Sequence, residues 1–141
     1  MIQRIQTLYL FLGVLALGAL FFFPSPWAST AAEVYGWYEP AVAGLIVLAG
    51  ATALGSIFLY GNRETQRKVV VGGQLLTFVL AMTLYGGLYL TNELSVRTGE
   101  AFNAGKTAML LMPAAAYVLF LLARRAIDHD IELVESMDRL R

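Results

Sequence analysis

The chain has 141 residues, 58% hydrophobic and 14% charged, and its ten acidic and ten basic side chains cancel. A soluble domain carries about 25% charged residues and nucleic-acid binding wants a basic face, so neither class fits. The absence of cysteine excludes disulfides, thiol nucleophiles and cysteine-ligated metals.

Four stretches without charge, 8–23, 41–60, 69–91 and 107–123, fill most of the sequence. A hydrocarbon core about 30 Å thick takes roughly 20 apolar residues at about 1.5 Å each. The middle two reach that length unaided. The first reaches it with residues 5–7, and the fourth with the stems of Arg124 and Arg125. This predicts an all-α membrane protein: a single domain over 1–141, with four transmembrane helices at about 5–23, 41–60, 69–91 and 106–125.

At the amino end, Arg4 before an apolar run resembles a signal peptide, with small residues at 28–32 as a cleavage site. The run is expected to be retained as a membrane helix, stopped by Pro24-Ser25-Pro26. Trp27, Tyr35, Trp37 and Tyr38 follow. Amphipathic aromatics favour the headgroup level, so an interfacial belt is expected, with a docking or ligand-gripping surface as the alternative.

The second run is rich in small residues, among them Gly44, Ala51 and Gly55, the last two spaced as Ala-x-x-x-Gly. In lipid, small side chains let helix backbones approach. These three are therefore expected to make the closest helix contacts, within the bundle or against another subunit. Gly72-Gly73 and Gly86-Gly87 extend the same signal into the third run. Between the two, Gly61-Asn62 reads as a helix end and 63–68 as a tight basic hairpin.

Gln74, with Thr77 a turn further on, is predicted to hydrogen-bond between helices, a ligand contact being the alternative. No ionisable residue falls at membrane depth, where its cost is tolerated only for a use, so proton-coupled transport is disfavoured. The second outer loop, 92–105, mixes Glu93, Arg97 and Glu100 with Phe102, and Gly99 and Gly105 punctuate it. Pro113 should bend the fourth helix.

The tail, 124–141, continues in helix formers. Ile127, Ile131, Val134 and Met137 fall on one helical face, widened by Leu133 and Leu140, with Asp130 and Glu132 towards the other side. Its five acids sit at the centre and oppose an anionic leaflet. This favours a protein contact, in cis or in trans, over a membrane-surface helix. Eight of the ten basic residues (Arg4, Arg63, Arg67, Lys68, Arg124, Arg125, Arg139, Arg141) fall on one side of the four runs, against Arg97 and Lys106 on the other. Both termini are therefore expected in the cytoplasm.

His129, the sole histidine, cannot carry a haem or zinc by itself. No nucleophile–base set or phosphate-binding glycine loop is visible. An enzyme, a cofactor and a metal are not expected.

The opening Met1-Ile2-Gln3-Arg4-Ile5-Gln6-Thr7-Leu8-Tyr9-Leu10, and the closing Ala126-Ile127 through Ser136 with Asp138-Arg139-Leu140-Arg141, carry a resemblance. They are similar to an uncharacterised family of small four-helix membrane proteins of Bacteroidetes and relatives, known only as a domain of unknown function. The likeness spans the chain and is specific at its ends. It departs at His129 and Glu135, where more basic residues are expected. The resemblance implies the four-span fold and a bacterial inner membrane, and no activity or site. The expected function is a non-catalytic accessory or scaffold subunit of a larger inner-membrane complex, its partners lipids and other membrane-protein subunits. The alternative is binding or transport of a lipid-like or quinone-like molecule in an interhelical cleft near Gln74 and the glycine pairs.

Overall fold

Asparagine and serine side chains set where the helices start. Ser29 Oγ accepts from Ala32 N at 3.3 Å, Asn62 Oδ1 from Thr65 N at 3.1 Å, and Asn103 Oδ1 from Lys106 N at 2.9 Å, each supplying a partner for an otherwise orphaned first-turn amide. A computed structural model of the chain describes residues 2–98 and 101–139, with the backbone alone at 2–4, 98 and 138. Met1, Gly99, Glu100, Leu140 and Arg141 lie outside the described residues, as does the side chain of Arg4.

Helix α1 runs Ile2–Ala19 and tightens into a 3₁₀ turn at Leu20–Phe22. A short helix α2, Thr30–Val34, folds within the first loop. Helix α3 covers Tyr38–Ile57, with Pro40 in its first turn, where a missing N–H leaves no hydrogen bond unmade. Helix α4 covers Arg63–Leu90. The expected basic hairpin at 63–68 is instead the start of that helix, because Asn62 caps it. After a two-residue antiparallel pair, β1 Arg97–Thr98 with β2 Ala101–Phe102, helix α5 runs unbroken through Pro113 from Ala104 to Arg139.

Four helices are long and apolar enough to cross a membrane: α1 with its turn, α3, α4 and α5. They close into a ring in which α1 packs on α5 and α3, and α4 packs on α3 and α5. The start of α1, the α3–α4 connection and the late turns of α5 gather at one end, called here the basic end. The core is made by Leu10 and Leu17 of α1, Val42 and Ile46 of α3, Leu80 and Leu84 of α4, and Met109 and Phe120 of α5. Between 28% and 33% of each spanning stretch is buried inside the chain. The remainder includes exposed Phe22, Phe58, Leu75, Leu90 and Leu111, an apolar exterior too extensive for a water-facing surface.

Two glycines admit aromatic rings. A Cβ at Gly13 would lie 2.4 Å from Cε1 of Phe120, and one at Gly87 2.2 Å from Cε2 of Tyr38. At Gly73 a Cβ would make ordinary contact with Thr52 at 3.8 Å, whereas Gly44, Gly55, Gly72 and Gly86 have open space. The expectation that Gly44, Ala51 and Gly55 make the closest contacts within the bundle is therefore corrected. The inward stripe of α3 is Val42, Ile46, Ala49, Ala53 and Ser56, which turns Ala51 and Gly55 outward.

Tyr38 is corrected likewise. It is fully buried, not interfacial, and its hydroxyl donates to the Leu84 carbonyl at 3.2 Å, fastening α3 to α4. Tyr85 donates to the Leu110 carbonyl and fastens α4 to α5. Trp37 is exposed, while Trp27 and Tyr35 are half-buried, and Trp27 stacks on Phe21 with ring centroids 5.5 Å apart.

Candidate functional site

Polar chemistry concentrates at the basic end. The inward stripe of α5 runs Ala116, Phe120, Ala123, Ile127, Asp130, alternating steps of four and three, so Asp130 continues it and is buried. Gln6 Nε2 of α1 donates to Asp130 Oδ2 at 3.0 Å and to the Ala126 carbonyl at 3.2 Å. Arg63 of α4 donates to the Asp130 carbonyl at 3.2 Å, and its Nη1 lies 3.9 Å from the carboxylate. Beside this, Asp128 pairs with Arg67 at 2.8 Å and with Arg124 at 3.7 Å. Three helices are thereby tied at one level.

This arrangement corrects the reading of the tail. Asp130 lies on the inward side, because Gln6 and Arg63 supply the donors that a buried carboxylate requires. Ile127 is buried and Ile131 packs at the edge of the core, both in cis. Val134, 40% exposed, and Met137, 61% exposed, extend beyond the bundle. Glu132 and His129 are exposed.

From the same end a groove opens between α4 and α5. Its outer part, about 610 Å³, lies among Glu64, Arg67, Lys68, Arg124 and Glu135. Val71 and Arg124 also wall a second cleft of about 320 Å³, bounded deeper by Gln74, Leu75, Phe78 and Tyr117. Gln74 is 5% exposed, and its Nε2 has no acceptor among the described residues. Among the described residues the expected interhelical hydrogen bond from this nitrogen is not formed. Thr77 does not supply it, since its hydroxyl donates back to the Gly73 carbonyl of its own helix at 2.8 Å. A buried donor left unmatched costs about 1–3 kcal/mol.

On the opposite side of the ring, a shallow cleft of about 300 Å³ lies between α1 and α3, bordered by Gly18, Gly50, Ala51 and Leu54. The small residues of α3 thus border a surface that the chain does not cover itself.

The family model described as "Domain of unknown function (DUF4293)" matches residues 2–140. The chain belongs to this family. No curated protein and no solved structure matches it. The DUF4293 frame takes in all four long helices and both partners of the Gln6–Asp130 contact.

Reading the sequence missed Gln6, Arg63, Asp128 and Asp130 as a cluster. A signal was present: the four-and-three spacing from Ala116 reaches Asp130 without a break. The cleft expected near Gln74 and the glycine pairs differs from the groove in its walls: Gln74 lines the groove and the glycine pairs do not. The charged rim comes from the start of α4 and the far turns of α5.

Proposed function

We propose that this DUF4293 protein is a non-catalytic accessory subunit of a larger assembly in the bacterial cytoplasmic membrane, with both termini on the cytoplasmic side. The observation that carries the reading is the outward face of α3. Gly44 and Gly55 have open space where a Cβ would stand, and Ala51 is exposed beside the α1–α3 cleft. Small outward residues give little to lipid and let another helix approach closely. The tail adds less than its sequence suggests, because Ile127 is already used in cis. Leu133, Val134 and Met137 remain exposed for contact.

The test is Gly55→Leu with Ala51→Leu, examined by native mass spectrometry after gentle extraction. The double variant should melt like the wild type in detergent while the mass of the complex drops to that of the single chain. A complex that survives the double variant, or a wild type that is always a bare monomer, sinks the reading.

A second reading, an amphiphile-binding protein, is favoured by one observation: Gln74, with its unpaired amide, lines the α4–α5 groove. The two readings use opposite sides of the ring and are tested independently.

A further inference from the structure

The α4–α5 groove orders its chemistry by depth. Glu64 and Glu135 stand at the rim, exposed and without an ion pair among the described residues. Lys68, also without an ion pair among them, stands one helical turn further in on α4, about 6 Å along the axis from Glu64. Arg124 faces it from α5, with only its Nε near Asp128 at 3.7 Å. The terminal nitrogens of its guanidinium keep donors to give. Gln74 follows about 9 Å beyond Lys68. Leu75, Phe78 and Tyr117 wall the deepest part.

Resting on the amphiphile-binding reading, we propose that the groove holds an aminophospholipid of the surrounding bilayer, a diacyl lipid with a phosphoethanolamine headgroup. The order of its groups along the membrane normal matches the order of the walls. The primary ammonium donates to the carboxylates of Glu64 and Glu135, and the phosphate accepts from Lys68 and Arg124. An ester carbonyl, a few bonds deeper, accepts from Gln74 Nε2, and the acyl chains lie along Leu75, Phe78 and Tyr117. The Gln74 amide nitrogen is itself covered, so lipid binding requires a turn about the last side-chain bond to bring it to the groove.

Other occupants satisfy fewer layers. A free phosphate leaves the apolar depth and the Gln74 donor unmatched. A lipid with a net negative head satisfies the bases of the groove but brings no cation to the carboxylates of Glu64 and Glu135. Choline headgroups have the right charges, but their quaternary ammonium carries no N–H to give to Glu64 or Glu135.

The full-length protein in detergent micelles is titrated with phosphatidylethanolamine, phosphatidylglycerol and phosphatidylcholine of identical acyl chains, and adducts are followed by native mass spectrometry. Phosphatidylethanolamine should bind on the order of tenfold more tightly than the other two, the scale of one charge-assisted hydrogen bond. Glu64→Gln with Glu135→Gln, both exposed positions, should bring it to the phosphatidylcholine level. Gln74→Leu should weaken all three lipids about fivefold, the scale of one neutral hydrogen bond. It should leave the lipid-free melting temperature unchanged or higher, because it removes an unmatched donor. If Gln74→Leu does not fold, Lys68→Gln at an exposed position must weaken binding instead. Preference for phosphatidylglycerol, with sensitivity to Gln74 retained, overturns the headgroup assignment and leaves amphiphile binding standing. Retention of no lipid, or retention indifferent to both Gln74 and Lys68, overturns both.

Discussion

Gly86 and Gly87 are neighbours on α4 and meet opposite surroundings. A Cβ at Gly87 would enter the ring of Tyr38, which is itself held by its hydroxyl on the Leu84 carbonyl, while one at Gly86 meets nothing within 4 Å. Gly87→Ala is therefore expected to cost about 1–3 kcal/mol through overpacking. Gly86→Ala should be neutral or stabilising by up to about 1 kcal/mol, from helix propensity. Thermal melting of the two variants in one detergent decides the point, and equal melting temperatures would contradict the packing described. The sequence marks both glycine pairs as candidates for close packing. The inward stripe Val70, Gly73, Thr77, Leu80, Leu84, Gly87 picks the second member of each pair. What no pattern on α4 discloses is the partner, because the Tyr38 ring comes from another helix. Asp130 was misread for a related reason. A carboxylate in an apolar stripe reads as the solvent side until the donors from Gln6 and Arg63 are known.

At the scale of elements, helix ends were more legible than loops. Helix α4 stops in a Schellman motif: Asn92 N donates to Tyr89 O at 3.1 Å and Glu93 N to Leu88 O at 2.8 Å, with Asn92 at a φ of 59°. That turn sets Glu93 so that its carboxylate accepts from Thr30 Oγ1 at 2.6 Å and from Thr30 N at 3.1 Å, capping α2. Asn92→Gly should be tolerated, since glycine adopts positive φ freely, whereas Asn92→Val should cost about 1–3 kcal/mol. In the valine variant, faster amide hydrogen exchange across 30–34 is expected as well, because the Glu93 cap moves with the turn. Exchange confined to the end of α4 would show that α2 holds itself. Helix α2 has a local cap in Ser29, but its second cap, Glu93, lies 63 residues from Thr30 and no local pattern discloses it. The two-residue strands are too short to carry a period. The basic segment 63–68 has the charge of a turn at the membrane surface, but Asn62 caps it as the first turns of α4.

At the scale of the molecule, hydropathy and length were sufficient to find the four spans. Which helix neighbours which was not legible, because apolar residues surround each span and leave no single amphipathic face. Orientation is the remaining global property, and eight of ten basic residues on one side argue for a cytoplasmic basic end. Single cysteines at Ala28 and Thr65, both exposed and at opposite ends, test it in a protein otherwise free of cysteine. In cells stripped of any outer barrier, Ala28→Cys should react with an impermeant thiol reagent and Thr65→Cys should not. The reverse labelling would invert the molecule.

The bond between Gln6 and Asp130 joins residues 124 positions apart. During synthesis the first helix leaves the ribosome long before its main packing partner exists. Until α5 emerges, α1 waits with the Gly13 notch empty, and Gln6 stays unmatched until Asp130 follows Phe120 out. Fastening α1 to α5 is thus a closing step that follows translation through Asp130, and a ribosome stalled short of that residue should leave the ring without its Gln6–Asp130 bond.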